Sequence, residues 1–240
     1  MPGAWLILPT YNEAENIGPM VQAAREQLRP GDTILIVDDN SPDGTGAIAD
    51  ELAKTTEAVE VLHRPGKLGL GRAYLDGFAH ALAGGADYVL EMDADFSHDP
   101  RDLPRLIAAA EQGADLVLGS RYVAGGSVTD WGRLRRLVSR GGSWYARVVL
   151  GVQVRDLTGG FKCFRRKVLE TLDLERVHAD GYGFQIELTY RTIKAGFRVQ
   201  EIPIVFRDRR VGQSKMTARI ALEAVWKVPA LRRRDGANLS

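Results

Sequence analysis

The sequence has 240 residues, which is enough for one large domain or two small ones with a substantial core. Its net charge is +1, from 32 Lys and Arg against 31 Asp and Glu, so the overall charge gives no indication of a nucleic-acid partner. The single cysteine excludes an internal disulfide framework, and because no apolar stretch reaches the ~18–20 residues of a membrane span, we expect a cytoplasmic protein, at most peripheral to a membrane.

Short apolar runs alternate with helical patterns through the first half of the chain. The apolar runs predict strands at 5–8, 33–37, 59–62, 87–92 and 114–119. Apolar residues at helical spacing predict helices at about 13–28, 45–52, 70–82 and 103–111. This alternation predicts an α/β fold, in which a Rossmann-like, mostly parallel sheet carries helices on both faces. Right-handed crossovers then place the strand C-termini at one edge.

The pattern changes after Arg121. Residues 122–132 are rich in Gly, Ser, Thr and Asp, which predicts a mobile loop. A basic helix is predicted at 133–150, a late strand at 197–206 and a late helix at 215–228. Because no repeat or linker divides the chain, we expect residues 1–240 to form a single domain.

Two carboxylates, Asp93 and Asp95, follow the apolar run 88–92 directly. The C-terminal ends of strands are where open α/β sheets place ligands, and alternate residues of an extended segment share one side. The pair therefore suits a hard divalent cation, Mg²⁺ or Mn²⁺, which prefers carboxylates together with substrate phosphates. The alternative is a solvated turn that holds two acids by chance.

Three other predicted strand ends carry polar groups on the same edge: 9–13, 37–39 and 119–121. The same periodicity would fit a dinucleotide-binding sheet, but the first strand is not followed by G-x-G-x-x-G. The Gly-rich segment Gly66–Gly71 lacks the P-loop ending, and we interpret it as a structural turn. For Asp38, we favour a role in capping the turn in which it lies.

Taken together, these ends resemble family 2 glycosyltransferases with the GT-A fold, and most closely the dolichol-phosphate and polyprenol-phosphate mannose synthases. The matching stretches run in order through nearly the whole chain: Leu8–Glu13, Val37–Thr45, Lys67–Ala73, Met92–His98, Gly119–Tyr122, Asp156–Phe161, Gly181–Gln185 and Gly212–Lys215. Asp-Asn-Ser-Pro-Asp-Gly at 39–44 and Gly-Gln-Ser-Lys at 212–215 separate this subgroup from other members.

The resemblance implies a metal-dependent enzyme that transfers mannose from GDP-mannose to a polyprenyl monophosphate with inversion. One alternative is another nucleotide sugar, such as UDP-glucose, with the same lipid acceptor. The other is a non-catalytic relative that only binds nucleotide sugars. Polyprenyl chain length, the preferred metal and the oligomeric state are left open.

The resemblance also implies which residues hold the donor. Pro9, Tyr11, Glu13, Val37 and Asp39 match the nucleotide-binding positions. The diphosphate and metal positions match Asp93, Ala94 and Asp95, with Asp95 the better candidate for a direct metal ligand. Ser97 stands where part of the family has a Gln that also contacts the metal, so water is an alternative there. His98 is interpreted as a cap or a surface residue more readily than as a ligand.

Cationic residues match the phosphate-binding positions of the family. Arg121, Arg209 and Lys215 correspond to cations on the donor side, and Arg121, Arg135 and Ser139 to the acceptor phosphate. An arginine suits this role because its planar fork pairs with two phosphate oxygens at once. Asp93, Asp95, Arg121 and Arg135 are the expected catalytic residues, whereas Arg133, Arg136 and Arg140 are expected at a surface or membrane face.

A lipid acceptor requires contact with the membrane surface. Residues of about 214–234 combine Trp226 and other apolar residues with lysine and arginine, which is typical of a helix at an anionic membrane interface. The alternative is a helix that closes the catalytic domain, followed by a basic tail. Location at the cytoplasmic face is expected, and the sequence leaves open whether a separate protein anchors the enzyme.

Overall fold

A computed structural model describes residues 3–177, 181–208 and 228–233. Its strands are β1 Ala4–Thr10, β2 Thr33–Asp38, β3 Val59–His63, β4 Tyr88–Glu91, β5 Leu116–Ser120, β6 Ser127–Val128, β7 Lys162–Arg165, β8 Val199–Pro203 and β9 Val205–Phe206. Its helices are α1 Ala14–Arg25, α2 Thr45–Thr55, α3 Leu70–Ala83, α4 Leu103–Glu111, α5 Arg133–Leu150, α6 Arg166–Thr171 and α7 Tyr182–Lys194.

Seven of the strands form one sheet in the order β3-β2-β1-β4-β7-β5-β8. Neighbours are parallel except at β7, which runs antiparallel to both β4 and β5. A second, two-stranded parallel sheet pairs β6 with β9. The predicted mostly parallel sheet is confirmed, and its C-terminal edge gathers the segments after β1, β2, β4 and β5.

The predicted helices on both faces are also confirmed. Alternate residues of β1 enter different cores: Ile7 packs in one hydrophobic cluster, and Leu6 and Leu8 in the other. The first cluster includes buried residues of α3, α5, α6 and α7, and the second those of α1, α2 and α4. Helix α3 lies very close to the sheet, because a Cβ at Gly77 would stand 2.7 Å from Cγ2 of Ile7.

The later half differs from the sequence predictions. Residues 122–132 are not wholly a loop, since β6 lies within them and pairs with β9. The predicted strand 197–206 is interrupted at Ile204 and serves two sheets. Strand β7 and helices α6 and α7 were not predicted. Most of the predicted helix 215–228 lies outside the described residues. No described helix has the length and apolar character needed to cross a membrane.

Strand β7 carries a lysine into the core. Lys162 pairs in register with Glu91 of β4, and both side chains are fully buried. Burial raises the pKa of Glu91 to about 7 and lowers that of Lys162 to about 8, each opposed by the charge of the other. The ammonium of Lys162 donates to the backbone carbonyl of Gln185 at 2.9 Å and to its side-chain oxygen. Each charge therefore offsets part of the cost of burying the other, and the hydrogen bonds to Gln185 tie the lysine of β7 to helix α7.

Candidate active site

A cavity of about 420 Å³ opens at the C-terminal edge of the large sheet. This is the position at which open α/β sheets bind ligands. The lining comes from nearly every predicted strand end: Pro9, Thr10, Tyr11, Glu13, Asp39, Lys67, Gly69, Leu70, Ala73, Asp93, Ala94, Asp95, Ser97, His98, Arg121, Trp131, Arg135, Thr158, Gly159, Gly160, Gly181, Gln185, Phe206 and Asp208.

The turn after β4 places both carboxylates in this cavity. Asp93 and Asp95 lie beyond the end of the strand, and the chain turns at once through Phe96, whose φ is +62°. A positive φ is unusual for a bulky residue, and such conformations concentrate at functional sites. The buried carboxylate of Asp95 accepts from the backbone N–H of Ser97 at 3.0 Å. The tight turn therefore holds the two acids on one cavity although they are not in a strand.

Ser97 contributes a further oxygen to the cavity. Its hydroxyl is buried and has no hydrogen-bond partner among the described residues. Within that part of the chain no cluster of three or more His, Cys, Asp and Glu side chains is arranged to hold a metal ion. On this turn the oxygens suited to a hard cation are two carboxylates and one hydroxyl, a small set that leaves coordination positions for phosphate or water.

His98 is buried, so the interpretation as a surface residue is wrong. Its ring packs between Phe161 and Phe206, with centroids 5.0 and 5.2 Å away. Its Nδ1 accepts from the backbone N–H of Asp93 at 3.4 Å. Burial lowers the pKa of His98 to about 4 against the opposing charge of Asp95. A neutral imidazole therefore supports the turn that carries the acids.

The wall formed after β1 and β2 carries an aromatic ring and two acids. The ammonium of Lys67 lies 4.2 Å from the ring centroid of Tyr11, so the segment Gly66–Gly71, interpreted as a structural turn, reaches the cavity. The carboxylate of Glu13 accepts from the amide of Asn16 at 2.8 Å. Asp39 pairs with buried Arg64, and burial raises the pKa of Asp39 although that guanidinium opposes it.

Asp38 has the turn-capping role predicted for it. Its carboxylate accepts from the hydroxyl of Ser41 at 2.6 Å and from the backbone N–H of Ser41 at 3.2 Å. It is buried and is not among the residues that line the cavity.

Arg121 is held in place by Asp156. Nε and Nη2 of the guanidinium donate to the two carboxylate oxygens at 2.7 Å each, and the backbone N–H of Arg121 donates at 2.9 Å. Nη2 also donates to the Thr158 hydroxyl at 2.8 Å. Burial alone would raise the pKa of Asp156, but the charge and hydrogen bonds of Arg121 leave it below its ordinary value. The arginine is therefore pre-oriented at the cavity wall.

Arg135 reaches the cavity from the first turns of α5. Its guanidinium lies 4.0 Å from the ring centroid of Trp131, and Nη1 donates to both carboxylate oxygens of Asp208 at 3.1 Å. Trp131 in turn packs edge-on against Phe206 at 5.3 Å. Asp208, just beyond β9, thus supplies a counter-ion to the arginine predicted for the acceptor phosphate, and Phe206 of β9 supports the tryptophan on which that arginine lies.

Two predicted residues are not brought into the cavity, and two others cannot be placed. Val37 is fully buried inside β2. Ser139 lies on α5, where its hydroxyl accepts from the Tyr122 hydroxyl at 2.6 Å, and it is not among the lining residues. Arg209 and Lys215 lie outside the described residues.

Several lining residues were not assigned roles from the sequence. Thr158, Gly159 and Gly160 precede β7, Gln185 is on α7, and Trp131, Phe206 and Asp208 frame Arg135. In the sequence, the only signal for Thr158, Gly159, Gly160 and Gln185 was that they lie in two stretches that match the family, Asp156–Phe161 and Gly181–Gln185. The complete cavity combines a carboxylate pair with two arginines, so it can hold a metal-bound anion together with a second anion.

Comparison with known proteins identifies the family and its members. A model of glycosyl transferase family 2 matches residues 5–173. The chain is 49% identical over 224 residues to a polyprenol monophosphomannose synthase of Mycolicibacterium smegmatis, covering 93% of this chain and 84% of that protein. It is 46% identical over 222 residues to an undecaprenyl-phosphate mannosyltransferase of Micrococcus luteus, covering 92% and 90% respectively.

Solved structures share the fold. A glucosyl-3-phosphoglycerate synthase from Mycobacterium tuberculosis, solved with Mn²⁺, UDP-glucose and phosphoglyceric acid, superposes with a TM-score of 0.73 at 20% identity, covering 97% of this chain and 80% of that one. The same enzyme with phosphoglyceric acid gives a TM-score of 0.72 at 22% identity, with the same coverage.

Proposed function

The chain belongs to glycosyl transferase family 2, and from that membership we propose that it transfers mannose from GDP-mannose to a polyprenyl monophosphate with inversion. The GT-A fold expected from the sequence is confirmed. The observation that carries the proposal is the 49% and 46% identity to a polyprenol monophosphomannose synthase and an undecaprenyl-phosphate mannosyltransferase over more than nine-tenths of the chain. GDP as the nucleotide rests on the resemblance of Leu8–Glu13 and Val37–Thr45 to such synthases.

The donor is assigned to the wall after β1 and β2. Tyr11 offers a ring for stacking on the base, Glu13 a carboxylate for base N–H donors, and Asp39 a carboxylate for the ribose hydroxyls. Pro9 lines the same wall. Lys67, beside Tyr11, adds a positive charge on this side, which suits a nucleotide diphosphate.

A divalent cation, Mg²⁺ or Mn²⁺, is assigned to Asp93 and Asp95. The residues present fit it, because both carboxylates and the unpartnered hydroxyl of Ser97 line one cavity and hard cations prefer such oxygens. When bound, the ion supplies Lewis-acid stabilisation of the leaving diphosphate. The Mn²⁺ and UDP-glucose of the related synthase structure support a metal-bound donor.

The acceptor phosphate is assigned to Arg121 and Arg135, near Ser139. Arg121 is fixed by Asp156, so its approach to an anion costs little reorganisation. Arg135 is paired with Asp208, and an incoming phosphate would share or take the place of that carboxylate. Arg209 and Lys215 remain candidates for the donor phosphates. The cavity can then bring two anionic groups together, which is the main electrostatic difficulty of this reaction.

The chemical step needs no proton removal by the protein. A phosphomonoester has a second pKa of about 6 and is largely a dianion at neutral pH. One of its oxygens attacks C1 of the mannose, and the C1–O bond to GDP breaks with its electron pair going to the diphosphate. The products are β-linked polyprenyl-phosphate mannose and GDP. Orientation by Arg121 and Arg135, together with charge stabilisation, supplies the acceleration.

The rest of the assignment concerns location. A polyprenyl acceptor places the enzyme at a membrane surface, and we assign it to the cytoplasmic face as a single catalytic domain of residues 1–240. Residues of about 214–234 are the candidate membrane-interface helix, most of which lies outside the described residues. A separate anchoring protein is compatible with this arrangement.

The test is a panel of nucleotide sugars offered with one polyprenyl phosphate and either Mg²⁺ or Mn²⁺. GDP-mannose should be the only efficient donor, and its product should carry mannose in β-linkage. Efficient use of UDP-glucose would replace the proposal by the alternative donor. Binding of the nucleotide sugar without transfer under all conditions would indicate the non-catalytic relative.

A further inference from the structure

A buried arginine connects the donor side of the cavity to helix α3. Arg64 follows the last residue of β3, and its side chain is 3% exposed. Its Nη1 donates to Oδ1 of Asp39. Its Nε donates to the carboxylate of Asp76, which lies on α3, at 2.7 Å. Because the guanidinium is planar and rigid, these two contacts with different elements fix its position.

The backbone around Arg64 ties the same segments together. The N–H of Arg64 donates to the carbonyl of Asp38 at 2.8 Å. The side-chain amide of Asn40 donates to the carbonyl of Pro65 at 3.4 Å. Asp39 lines the cavity, whereas Arg64 is not among the lining residues. Any effect of this arginine on a bound ligand is therefore indirect, through the groups that it holds.

Asp39 needs a cation because its side chain is nearly buried. Burial raises the pKa of its carboxyl group, and the charges of Asp38 and Asp76 act in the same direction. The charge and hydrogen bond of Arg64 oppose them. Only an ionised carboxylate presents both oxygens as acceptors, which a pair of hydroxyl donors requires. Arg64 therefore favours the useful charge state of Asp39 and also sets the direction of its carboxylate.

We propose that Arg64 is the positioning residue of the ribose subsite and that Asp76 supports it from α3. This inference rests on the proposed function, which assigns the ribose hydroxyls of the donor to Asp39. Loss of Arg64 should weaken recognition of those hydroxyls in particular. An arginine that only stabilises the loop would act differently. It would loosen segment 65–69, which carries the lining residue Lys67, and so weaken every nucleotide equally.

The test compares GDP, 2′-deoxy-GDP and 3′-deoxy-GDP by isothermal titration calorimetry with the full chain and Mg²⁺. The wild type should bind GDP about tenfold more tightly than at least one deoxy nucleotide, because that nucleotide leaves a buried acceptor unpaired. Arg64→Gln should lose about tenfold in GDP affinity but change little toward that deoxy nucleotide, so the discrimination disappears. Arg64→Lys should restore part of it, since the charge returns without the planar fork.

A variant at a more exposed position tests the support from α3 without emptying the buried site. The side chain of Asp76 is 52% exposed, so Asp76→Asn should retain the fold and reduce the discrimination by about threefold. The matched control is Asp50→Asn on α2. It removes an exposed carboxylate that pairs at 2.8 Å with His63, the residue before Arg64. This control should bind all three nucleotides like the wild type, and thermal melting checks each variant.

The outcomes separate this proposal from the proposed function. Equal weakening of all three nucleotides in folded Arg64→Gln and Asp76→Asn would show a structural role and overturn the proposal. Discrimination that is lost in Asp39→Asn but kept in both of those variants would also overturn it, while the ribose assignment of Asp39 would stand. A wild type that binds the three nucleotides equally would refute that assignment and this proposal together. Ribose discrimination through Arg64 without any mannose transfer would support the proposal and refute the proposed activity.

Discussion

Asp156 determines how Arg121 is presented to the cavity. The carboxylate is fully buried, binds the guanidinium through two oxygens and accepts the backbone N–H of the same residue. Removing one partner of such a pair leaves an uncompensated buried charge, which costs about 3–5 kcal/mol. We expect Asp156→Asn to lower the free energy of unfolding by about that amount in urea titrations, and to slow transfer because Arg121 is no longer fixed.

The pH dependence of the same variant has a defined sign. The folded-state pKa of Asp156 lies below its ordinary value, so its contribution to stability is present above the unfolded pKa and is lost as pH falls through the folded one. The difference between wild type and Asp156→Asn should therefore shrink in acid. Glu170→Gln, which removes an exposed pair with Arg166, serves as the control and should change little. Equal stability of Asp156→Asn and wild type at neutral pH would contradict the argument.

Asp95 is the residue on which metal binding should depend most. Asp95→Ala should abolish transfer while the melting temperature shows that the fold remains, because the carboxylate faces the cavity and not the core. Binding of Mn²⁺, followed by its electron paramagnetic resonance signal, should be lost in parallel. Normal turnover in this variant would refute the metal assignment.

Arg135 is expected to bind the acceptor phosphate and to contribute little to donor binding. Arg135→Ala should weaken polyprenyl phosphate by about a hundredfold in apparent affinity or rate and affect GDP-mannose much less. Lysine at this position should rescue only in part, since it keeps the charge but loses the planar fork and the stacking on Trp131. Titration of each substrate at fixed salt checks this. Collapse of GDP-mannose binding with unchanged lipid affinity would show that the assignment of the two ends is wrong.

The candidate site was predictable for residues at the C-terminal ends of parallel strands, where such sheets bind ligands. Asp39, Asp93, Asp95 and Arg121 follow strands of one direction, Pro9 lies at the end of β1, and the topology alone brings them to one cavity. Pairwise contacts were not predictable. That Asp208 opposes Arg135, and that Lys67 lies over Tyr11, depends on how distant loops pack.

At the scale of elements, residues 122–132 are more ordered than their composition predicts. The backbone N–H groups of Ser127 and Thr129 donate to Ile204 and Phe206 at 3.0 and 2.9 Å, and Trp131 is buried against Phe206. Gly126 is tightly enclosed, because a Cβ there would lie 2.5 Å from the carbonyl oxygen of Ser120. Any closure of this segment must therefore carry β9 with it.

We expect the segment to close when donor and metal bind, which would exclude water and limit hydrolysis of the donor. Proteolysis within 122–132, where Ala124 and Gly125 are exposed, should slow when GDP-mannose and Mg²⁺ are added together. GDP-mannose with EDTA is the control and should protect less. Equal cleavage with and without both ligands would argue against a lid.

Strand β7 shows why part of the fold was missed. Its four residues begin with a lysine and end with an arginine, and charged residues are almost never fully buried unless paired. Lys162 is acceptable in the core because its ammonium donates to Gln185, 23 positions later in the chain, and because the charge of Glu91 on the neighbouring strand opposes the effect of burial. A pattern of local hydrophobicity contains no trace of that pairing, whereas the longer apolar strands β1 and β2 need no such partner.

At the scale of the whole molecule, the pH dependence of the transfer rate follows from the charge of the acceptor phosphate. The rate of the transfer step should fall at acid pH through the second pKa of the acceptor phosphate, about 6, and stay level above it. His98, which lines the cavity, does not account for a fall in rate near pH 6, because burial lowers its pKa to about 4. Single-turnover rates across pH, repeated with a phosphonate acceptor of shifted pKa, test this. A pH dependence of the rate that follows the pKa of a protein group, and disappears on mutation of one Asp or His, would refute this prediction.

The antiparallel insertion of β7 also has a consequence for biosynthesis. A nascent chain that has left the ribosome only as far as Phe161 can pair β3, β2, β1 and β4, but β4 then presents an open edge, and β5 has neither of its sheet neighbours. Open apolar edges are templates for association with other chains. Translation of four further residues supplies β7, which covers the open edge of β4 and one edge of β5, while the other edge of β5 stays open until β8 is made. Chains truncated just before Lys162 should therefore aggregate more readily than chains that extend through β7.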